Sequence, residues 1–415
     1  MMKKMIVLLL MAILLLAGCA TEEMTDATEG QIQYEWMAGE SPVSPRRTGL
    51  LRAGLNATQF EVTDHGFYYL YSDRNGGGTY ILYNDDGSDT FIKLCGRADC
   101  THDNPDCNAY IGGSKSDICY WDGYLYVFTE DPVQESTKLI RMNPDGSNRV
   151  DVLDTQAFAE EMDADFAQIE LMTDGYIVFA LYAWEEVEEG HLDGVWLQNY
   201  YYALDGSMEA PEAHDAVGGP LYSCGDVILA WGYIEDSGEN GSFFDWDPET
   251  DTSTFLCHHP GQPGWYGETE AYYYKNGALR RLTYATGKEE AVIEAGLTGE
   301  YYATILPDCI LMVYDEYGDT SDKNLYFYNW EFELVDTVAI DYPFHDDRIQ
   351  WAIAGETAER IILTDHFQGL PRYYIEKSEL GTGNAKIHTF KLLDLEDEQE
   401  YWQEILEDKE WLENG

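Results

Sequence analysis

The chain has 415 residues, of which 78 are acidic and 24 are Lys or Arg, so its formal net charge is −54. This balance excludes nucleic acid and anionic lipid surfaces as ligands, because both require patches of Lys and Arg. It leaves open cationic partners, metal ions, a high-salt habitat, or simply a well-solvated surface. Aromatic residues make up 14% of the chain, and with 38 glycines they favour an all-β fold.

Residues 1–18 have the features of an export signal. Two lysines precede an apolar run over residues 6–16, which is shorter than the roughly 20 residues that a spanning helix needs. The run ends in Leu16-Ala17-Gly18-Cys19, which resembles the bacterial lipobox. That resemblance implies cleavage before Cys19, acylation of its sulfur (including palmitate), and anchoring at the extracytoplasmic face of a bacterial membrane. The alternative is an ordinary secretory signal with a chance cysteine.

Residues 19–55 are expected to form a flexible, acidic tether. The segment is polar at its start, and Gly39, Pro42 and Pro45 interrupt any periodicity further on. Within it, residues 31–36 alternate between polar and apolar side chains, as a strand would. We expect this short piece to be donated to the folded domain.

Residues 56–393 contain a repeated pattern. A strand of apolar and aromatic residues recurs at 66–71, 122–128, 174–179, 225–231, 270–274, 309–314 and 360–364. Behind most copies comes a second strand that ends in a tight turn, at 82–87, 139–147, 202–206, 244–250, 282–287 and 325–329. Asp-Gly sequences in these turns suit a hairpin, because Gly accepts positive φ and Asp bonds its own backbone.

A unit of about 50 residues with hairpin turns at similar offsets indicates a β-propeller of about seven four-stranded blades. The alternatives are a propeller of six or eight blades, a pair of β-sandwiches, or an irregular all-β fold. A helix is indicated at about 156–163 and an acidic amphipathic helix at 394–415. Such low helix content excludes the two-lobed α/β solute-binding lipoproteins.

The best-defined turn is Ile140-Arg141-Met142-Asn143-Pro144-Asp145-Gly146-Ser147. It resembles the inner hairpin of propeller repeats of the low-density lipoprotein receptor type, and Tyr126 and Thr129 agree with the preceding strand of that family. The whole chain also resembles propeller lipoproteins of Gram-positive gut bacteria, which share the cysteine block described next. Both resemblances imply a propeller fold, and neither implies a ligand.

The cysteine block comprises Cys95, Cys100, His102 and Cys107, and Cys119 follows shortly. Three thiols and an imidazole form the ligand set of a structural zinc site, although the spacing differs from the usual paired knuckles. In an exported protein the same thiols are candidates for disulfides, with three pairings among four cysteines. Free thiols in an anaerobic habitat are the third interpretation. Any cofactor is therefore expected to be a structural zinc or calcium ion.

We find no catalytic constellation in the sequence, since nucleophile-elbow, zinc-protease and phosphate-loop motifs are all missing. The expected function is a binding or scaffolding module for a glycan or protein partner, with the membrane contacted through the N-terminal lipid. The alternative is a carbohydrate-active hydrolase with paired carboxylates at the channel mouth. Tryptophans that could stack on a ligand, rather than pack between blades, are Trp121, Trp184, Trp196, Trp231, Trp265 and Trp351.

Overall fold

The computed structural model describes residues 34–42 and 60–392, except for 64–65, 74–77, 113–114, 132–135, 174, 189–190, 215–220, 225–226, 233–240, 249, 259–263, 295–300, 315–323, 341–350 and 366–370. The expected signal segment, Cys19 and the expected helix at 394–415 lie outside these residues. Across the described part, no helix is long and apolar enough to cross a membrane.

The first three blades are four-stranded antiparallel sheets that follow the chain order. Blade 1 has β1 (Phe60–Thr63), β2 (Gly66–Asp73), β3 (Gly78–Asp85) and β4 (Thr90–Lys93). Blade 2 has β5 (Lys115–Trp121), β6 (Tyr124–Asp131), β7 (Ser136–Met142) and β8 (Val150–Asp154). Blade 3 has β9 (Phe166–Thr173), β10 (Tyr176–Glu188), β11 (His191–Ala203) and β12 (Glu212–His214).

The remaining four blades repeat this plan. Blade 4 has β13 (Leu221–Cys224), β14 (Val227–Gly232), β15 (Ser242–Asp247) and β16 (Thr252–His258). Blade 5 has β17 (Trp265–Tyr266), β18 (Glu270–Lys275), β19 (Ala278–Thr283) and β20 (Lys288–Ile293). Blade 6 has β21 (Tyr301–Ile305), β22 (Ile310–Tyr314), β23 (Asn324–Tyr328) and β24 (Leu334–Ala339), and blade 7 has β25 (Trp351–Glu356), β26 (Arg360–Asp365), β27 (Pro371–Glu376) and β28 (His388–Thr389).

The prediction of a β-propeller with about seven blades is therefore confirmed, and the number of blades is seven. The strand that recurs in the sequence is the second strand of every blade, and the strand with the tight turn is the third. First strands of neighbouring blades adjoin one another, since β5 contacts both β1 and β9, and β1 contacts β25. The expected helix is present as α1 (Thr155–Glu161), and the side chain of Asp154 accepts a hydrogen bond at its N-terminus from the N–H of Ala157.

The core lies between the blades. Second strands are buried on both faces, because each blade packs against a neighbour on either side. In β6, the consecutive residues Leu125, Tyr126, Val127 and Phe128 are all at most 2% exposed. This burial explains why these strands read as unbroken apolar runs rather than as the alternation of a half-exposed sheet.

Two Asp-Gly turns show why Gly is required. Asp122 and Gly123 both have positive φ, of 47° and 79°, which is the backbone of a tight two-residue hairpin. Gly146, at φ 76°, lies so close to the backbone of Asn108 that a Cβ atom would be 2.4 Å from the Asn108 carbonyl oxygen. The second turn therefore needs Gly for space as well as for conformation.

The ring closes where blade 7 meets blade 1. A short strand, β29 (Lys391–Leu392), pairs in parallel with β4 at the outer edge of blade 1. Arg360 donates hydrogen bonds to Glu376 at 3.0 and 2.9 Å and to the carbonyl of Ser88 in blade 1. Side chains from both blades form one apolar cluster, made of Phe67, Tyr69, Leu82, Phe91, Ile362, Tyr374 and Phe390. Packing and hydrogen bonds thus join blades that are each built from one continuous stretch of chain.

Residues 34–42 of the expected tether pack against the last two blades. Tyr34 to Met37 form a turn, closed by a bond from the Met37 N–H to the Tyr34 carbonyl at 3.1 Å, so the expected strand is absent at 34–36. Trp36 is 9% exposed, and its indole N–H donates to the carbonyl of Lys377 at 2.8 Å. This segment adds a buried tryptophan to the core instead of a donated strand.

The residue that accepts this hydrogen bond from Trp36, Lys377, is itself a buried lysine. Lys377 is 1% exposed, and its ammonium contacts Asp308 at 2.6 Å, Glu356 at 3.0 Å and the carbonyl of Thr357 at 2.7 Å. Burial raises the pKa of Glu356 to about 7, although the charge of Lys377 opposes the shift. Burial also disfavours charge on Lys377, but the two carboxylates outweigh it, so the pKa of Lys377 is raised. The lysine is therefore a buried cation that depends on its carboxylate partners.

Candidate functional site

Blade 3 carries a long hairpin that extends beyond the rest of its sheet. β10 and β11 have 13 residues each, and they pair along their whole length. β9 pairs with β10 only as far as Tyr182, and β12 pairs with β11 only at residues 199–201. Residues 183–188 and 191–198 consequently form a two-stranded projection, which we call the ribbon.

Aromatic side chains line one face at the base of the ribbon. Tyr182 lies opposite Phe166 of β9 and opposite Trp196 of β11, while Trp184 lies opposite Gly194. Directly opposed residues and residues two apart on a strand share a face, so all four aromatic rings point the same way. Phe166 stacks on Tyr182 with ring centroids 5.1 Å apart and contacts Trp184 at 4.7 Å. Together these rings form an aromatic platform.

A β-bulge determines which face Trp196 occupies. The register shifts between Leu181 and Tyr182, which leaves Leu197 as the extra residue and places Trp196 opposite Tyr182. Without the bulge, Trp196 would lie opposite Ala183 and point to the other face of the ribbon. Trp184 is 53% exposed and Trp196 is 49% exposed, so the platform presents two indole rings to solvent.

Hydrogen bonds hold the platform in place. The Trp184 backbone N–H donates to Asp165 at 2.6 Å, the Tyr182 hydroxyl donates to Glu170 at 3.2 Å, and the Trp196 indole donates to Asn199 at 2.8 Å. Burial raises the pKa of Glu170. Burial and the nearby Glu170 also raise the pKa of Tyr182 to about 12, so this tyrosine remains a hydroxyl donor at neutral pH.

The other candidate tryptophans have different environments. Trp265 is 4% exposed and packs in the core of blades 4 to 6, which makes it a packing residue rather than a ligand-stacking one. Trp121 is half-buried, 6.2 Å from the ring of Tyr126. The side chains of Trp231 and Trp351 are outside the described part. Among the tryptophans whose side chains are described, those exposed are Trp184 and Trp196.

The cysteine block forms a second cluster, in the loop between β4 and β5. The side-chain donor atoms of Cys95, Cys100, His102 and Cys107 all lie within 4.8 Å of one another. The Nδ1 atom of His102 is 3.2 Å from the sulfur of Cys107. Cys119 is not in this group, because it is buried in the core between blades 2 and 3. No disulfide joins any of the six cysteines whose side chains are described.

The two ends of the loop that carries this cluster are hydrogen-bonded to the same residue of blade 1, Ile81. The Leu94 N–H donates to the carbonyl of Ile81 at 2.9 Å, and the Ile81 N–H donates to the carbonyl of Ala109 at 2.8 Å. The loop also contacts blade 2, since Arg149 donates to the carbonyls of Asn108 and Tyr110. Residues 95–108 therefore form a closed loop, held at its base by one residue of blade 1 and from the side by blade 2.

Ionisation differs between two thiols of the cluster. Burial opposes ionisation of Cys95, but hydrogen bonds from the backbone of Arg97 and from neighbouring thiols outweigh it, so the pKa of Cys95 is lowered. Burial raises the pKa of Cys107 to about 11. Cys95 is accordingly the more readily ionised of these two thiols.

No family model and no curated protein matches the chain. Among solved structures, it is similar to the β-propeller domain of the Trilobed protease from Pyrococcus furiosus, with 10% identity over 65% of this chain and 80% of that one, and a TM-score of 0.39. It is also similar to TolB from Acinetobacter baumannii (7% identity, 66% and 63%, TM-score 0.33) and to a post-proline cleaving enzyme from Rickettsia typhi (9% identity, 81% and 54%, TM-score 0.44). At such identities, these similarities assign no ligand or activity to this chain.

Proposed function

We propose that this protein is a lipid-anchored, extracytoplasmic lipoprotein whose propeller is a binding module for carbohydrate, with the aromatic platform of blade 3 as the binding surface. The single observation that carries the proposal is the exposure of Trp184 and Trp196 on the same face of the ribbon. The resemblance to propeller lipoproteins and the lipobox-like sequence before Cys19 support the anchoring. In this proposal, the lipid anchor displays the carbohydrate-binding propeller on the cell surface.

The chemistry of the ribbon favours a sugar. The apolar C–H face of a pyranose ring packs on an indole ring, and its peripheral hydroxyls need hydrogen-bond acceptors. Residues 183–198 contain carboxylates but no Lys or Arg, and Glu185 and Glu186 are exposed beside Trp184. A neutral ligand rich in hydroxyl donors matches this combination of aromatic faces and acceptors. A cationic protein segment is the competing occupant, and its binding would depend on salt.

Binding is tested with the full-length protein in detergent, against a panel of soluble xylo-, manno-, cello- and chito-oligosaccharides. We expect at least one class to bind by calorimetry, with an affinity that persists in high salt. Trp184→Ala and Trp196→Ala are each expected to weaken binding about 30-fold, which corresponds to roughly 2 kcal/mol for the loss of a central aromatic contact. Both side chains are half-exposed, so the melting temperature should change little.

The matched control is Phe255→Ala, since Phe255 is an exposed aromatic residue of blade 4, 45% accessible to solvent. This variant should bind as the wild type does. Equal affinities in all three variants would place the sugar site elsewhere on the propeller. Capture of a protein in a salt-sensitive manner, with no sugar bound, would identify the competing occupant, and cleavage of a bound oligosaccharide would favour a hydrolase.

Anchoring is tested by replacing Cys19 with Ser. The wild-type protein is expected in the membrane fraction, released only by detergent, because two acyl chains hold a protein stably on a bilayer. Cys19→Ser should accumulate as an uncleaved precursor or in the medium, and it should fail to incorporate labelled palmitate. Cys257→Ala, which alters a buried cysteine of β16, is the control and should remain at the membrane. Full membrane retention and labelling of Cys19→Ser would refute the lipid anchor.

A further inference from the structure

We propose that Cys95, Cys100, His102 and Cys107 bind one Zn²⁺ ion. This zinc is a structural ion that stabilises loop 95–108 in its position between blades 1 and 2. The proposal is independent of carbohydrate binding, because the loop belongs to the first two blades and the aromatic platform belongs to the third. Four donor atoms within 4.8 Å of one another are the observation that carries it.

The distances suit a tetrahedral ion. With Zn–S bonds of about 2.3 Å, the sulfurs of a tetrahedral site lie about 3.8 Å apart. All four donor atoms lie within 4.8 Å of one another, so no two of the sulfurs need to approach by more than about 1 Å to reach this spacing. Cys107 is buried and the other three ligands are half-buried, which suits a closed structural site rather than a catalytic site with an open position.

The number of thiols favours a metal over disulfides. Cys119 is buried in another core cluster, so three thiols remain at the site. One disulfide among three thiols would leave one cysteine and the imidazole unused, whereas a single zinc ion uses all four side chains. The donor set also discriminates between metals, because thiolate and imidazole ligands select zinc and calcium requires oxygen ligands.

The composition of the loop explains why it needs a metal. Residues 95–108 contain no Val, Ile, Leu, Met, Phe, Tyr or Trp, so the loop has no large apolar side chain with which to form its own core. Small structures of this kind are commonly stabilised by a bound metal, whose binding energy becomes folding energy. His102 has a φ of 59°, a conformation that costs a non-glycine residue free energy and that metal coordination would compensate.

The surroundings also suit the charge of the site. Three thiolates and a neutral imidazole around Zn²⁺ carry a net charge of −1. The guanidinium of Arg149, which donates to the Asn108 and Tyr110 carbonyls, lies within electrostatic range of Cys107 and supplies the opposite charge. Asn108 also donates to the Asp145 carbonyl at 3.1 Å. Fixing Cys107 therefore fixes the adjoining residue that holds the loop against the turn of blade 2.

The test measures metal content in the full-length protein purified from cells grown with zinc. Elemental mass spectrometry is expected to give one zinc per chain. After exchange into Co²⁺, the protein should show the visible bands of a tetrahedral site and a thiolate-to-cobalt charge-transfer band. Removal of zinc by a chelator should lower the melting temperature by at least about 4 °C, because a ligand that binds only the native state stabilises it.

Two variants distinguish the site from its neighbours. His102→Ala should lose the zinc or retain it far more weakly, with an altered cobalt spectrum, while Cys119→Ala should keep one zinc per chain. A wild-type protein that lacks zinc and gives no cobalt spectrum would overturn the proposal. So would a disulfide among Cys95, Cys100 and Cys107 in protein isolated from its own membrane, or zinc retained after Cys95 and Cys107 are both replaced by Ala.

Discussion

Replacing Lys377 with Met is expected to lower the free energy of unfolding by about 3–5 kcal/mol, measured from urea denaturation curves. The ammonium of Lys377 contacts both Asp308 and Glu356, and it is 1% exposed. Met has a similar length but carries no charge, so the variant would leave two carboxylates without their cation in a largely buried site. An uncompensated buried charge is among the costliest single changes that a protein core can undergo.

The matched control is Lys288→Met, because Lys288 is 65% exposed in its ion pair with Glu290. Solvent-exposed ion pairs contribute little to stability, so this variant should be nearly as stable as the wild type. A second control is the double variant Lys377→Met, Glu356→Leu. It removes one of the two carboxylates left without a cation, so it should recover part of the free energy of unfolding that Lys377→Met loses. Equal stability of Lys377→Met and Lys288→Met would contradict the assigned role.

The cost of Lys377→Met should also depend on pH. Burial raises the pKa of Glu356 to about 7 while Lys377 opposes that shift, so loss of the lysine raises the pKa of Glu356 further. A carboxyl group whose pKa is higher in the folded state than in the unfolded state favours folding at low pH and opposes it as the pH rises. The variant should therefore lose more stability, relative to the wild type, at pH 8 than at pH 5.

Replacing Arg360 with Met is expected to cost about 3 kcal/mol of stability and to loosen the ring where it closes. The guanidinium of Arg360 donates to Glu376 within blade 7 and to the Ser88 carbonyl in blade 1, and it lies 4.4 Å from the ring centroid of Tyr374. Arg360 is 4% exposed, so Met would leave Glu376 without its guanidinium partner and remove a direct bond between the two terminal blades.

Hydrogen exchange locates this effect. Amides of β4 and β29, whose pairing joins the segment after blade 7 to blade 1, should exchange faster in Arg360→Met, while amides of β14 and β18 on distant blades should change little. Arg281→Met is the control, because the cross-strand pair of Arg281 with Glu290 is about one-third exposed. Equal acceleration across all blades would show that Arg360 supports general stability rather than ring closure.

Blade number could be predicted because the second strand of each blade is buried on both faces. Burial of this kind requires consecutive apolar residues, as in Tyr124–Asp131, and it recurs once per blade whatever the rest of the blade contains. The Asp-Gly turns are similarly local, since positive φ at Gly123 and Gly146 follows from turn geometry. These features depend on residues near one another in the chain.

The aromatic platform could be predicted only in part. Trp184 and Trp265 are equally plausible as ligand-stacking residues in the sequence, but one is 53% exposed and the other 4%. Phe166 and Tyr182 were not predicted as members of the platform. The available signal was the spacing of Tyr182 and Trp184, which are two residues apart and so share one face of a strand. The face of Trp196 depends on a bulge at Leu197, which no pattern within a single strand encodes.

By itself, the sequence predicted a propeller of about seven blades and placed three thiols and an imidazole in one short block, because strand burial, turn conformation and close spacing along the chain are properties of short segments. It also supplied the proposed lipid anchor at Cys19. Only the tertiary structure decided that Cys119 lies apart from the other thiols, that Lys377 is a buried cation, and that Arg360 joins the first blade to the last. Each of these depends on contacts between segments far apart in the chain, where packing rather than local pattern sets which side chains meet.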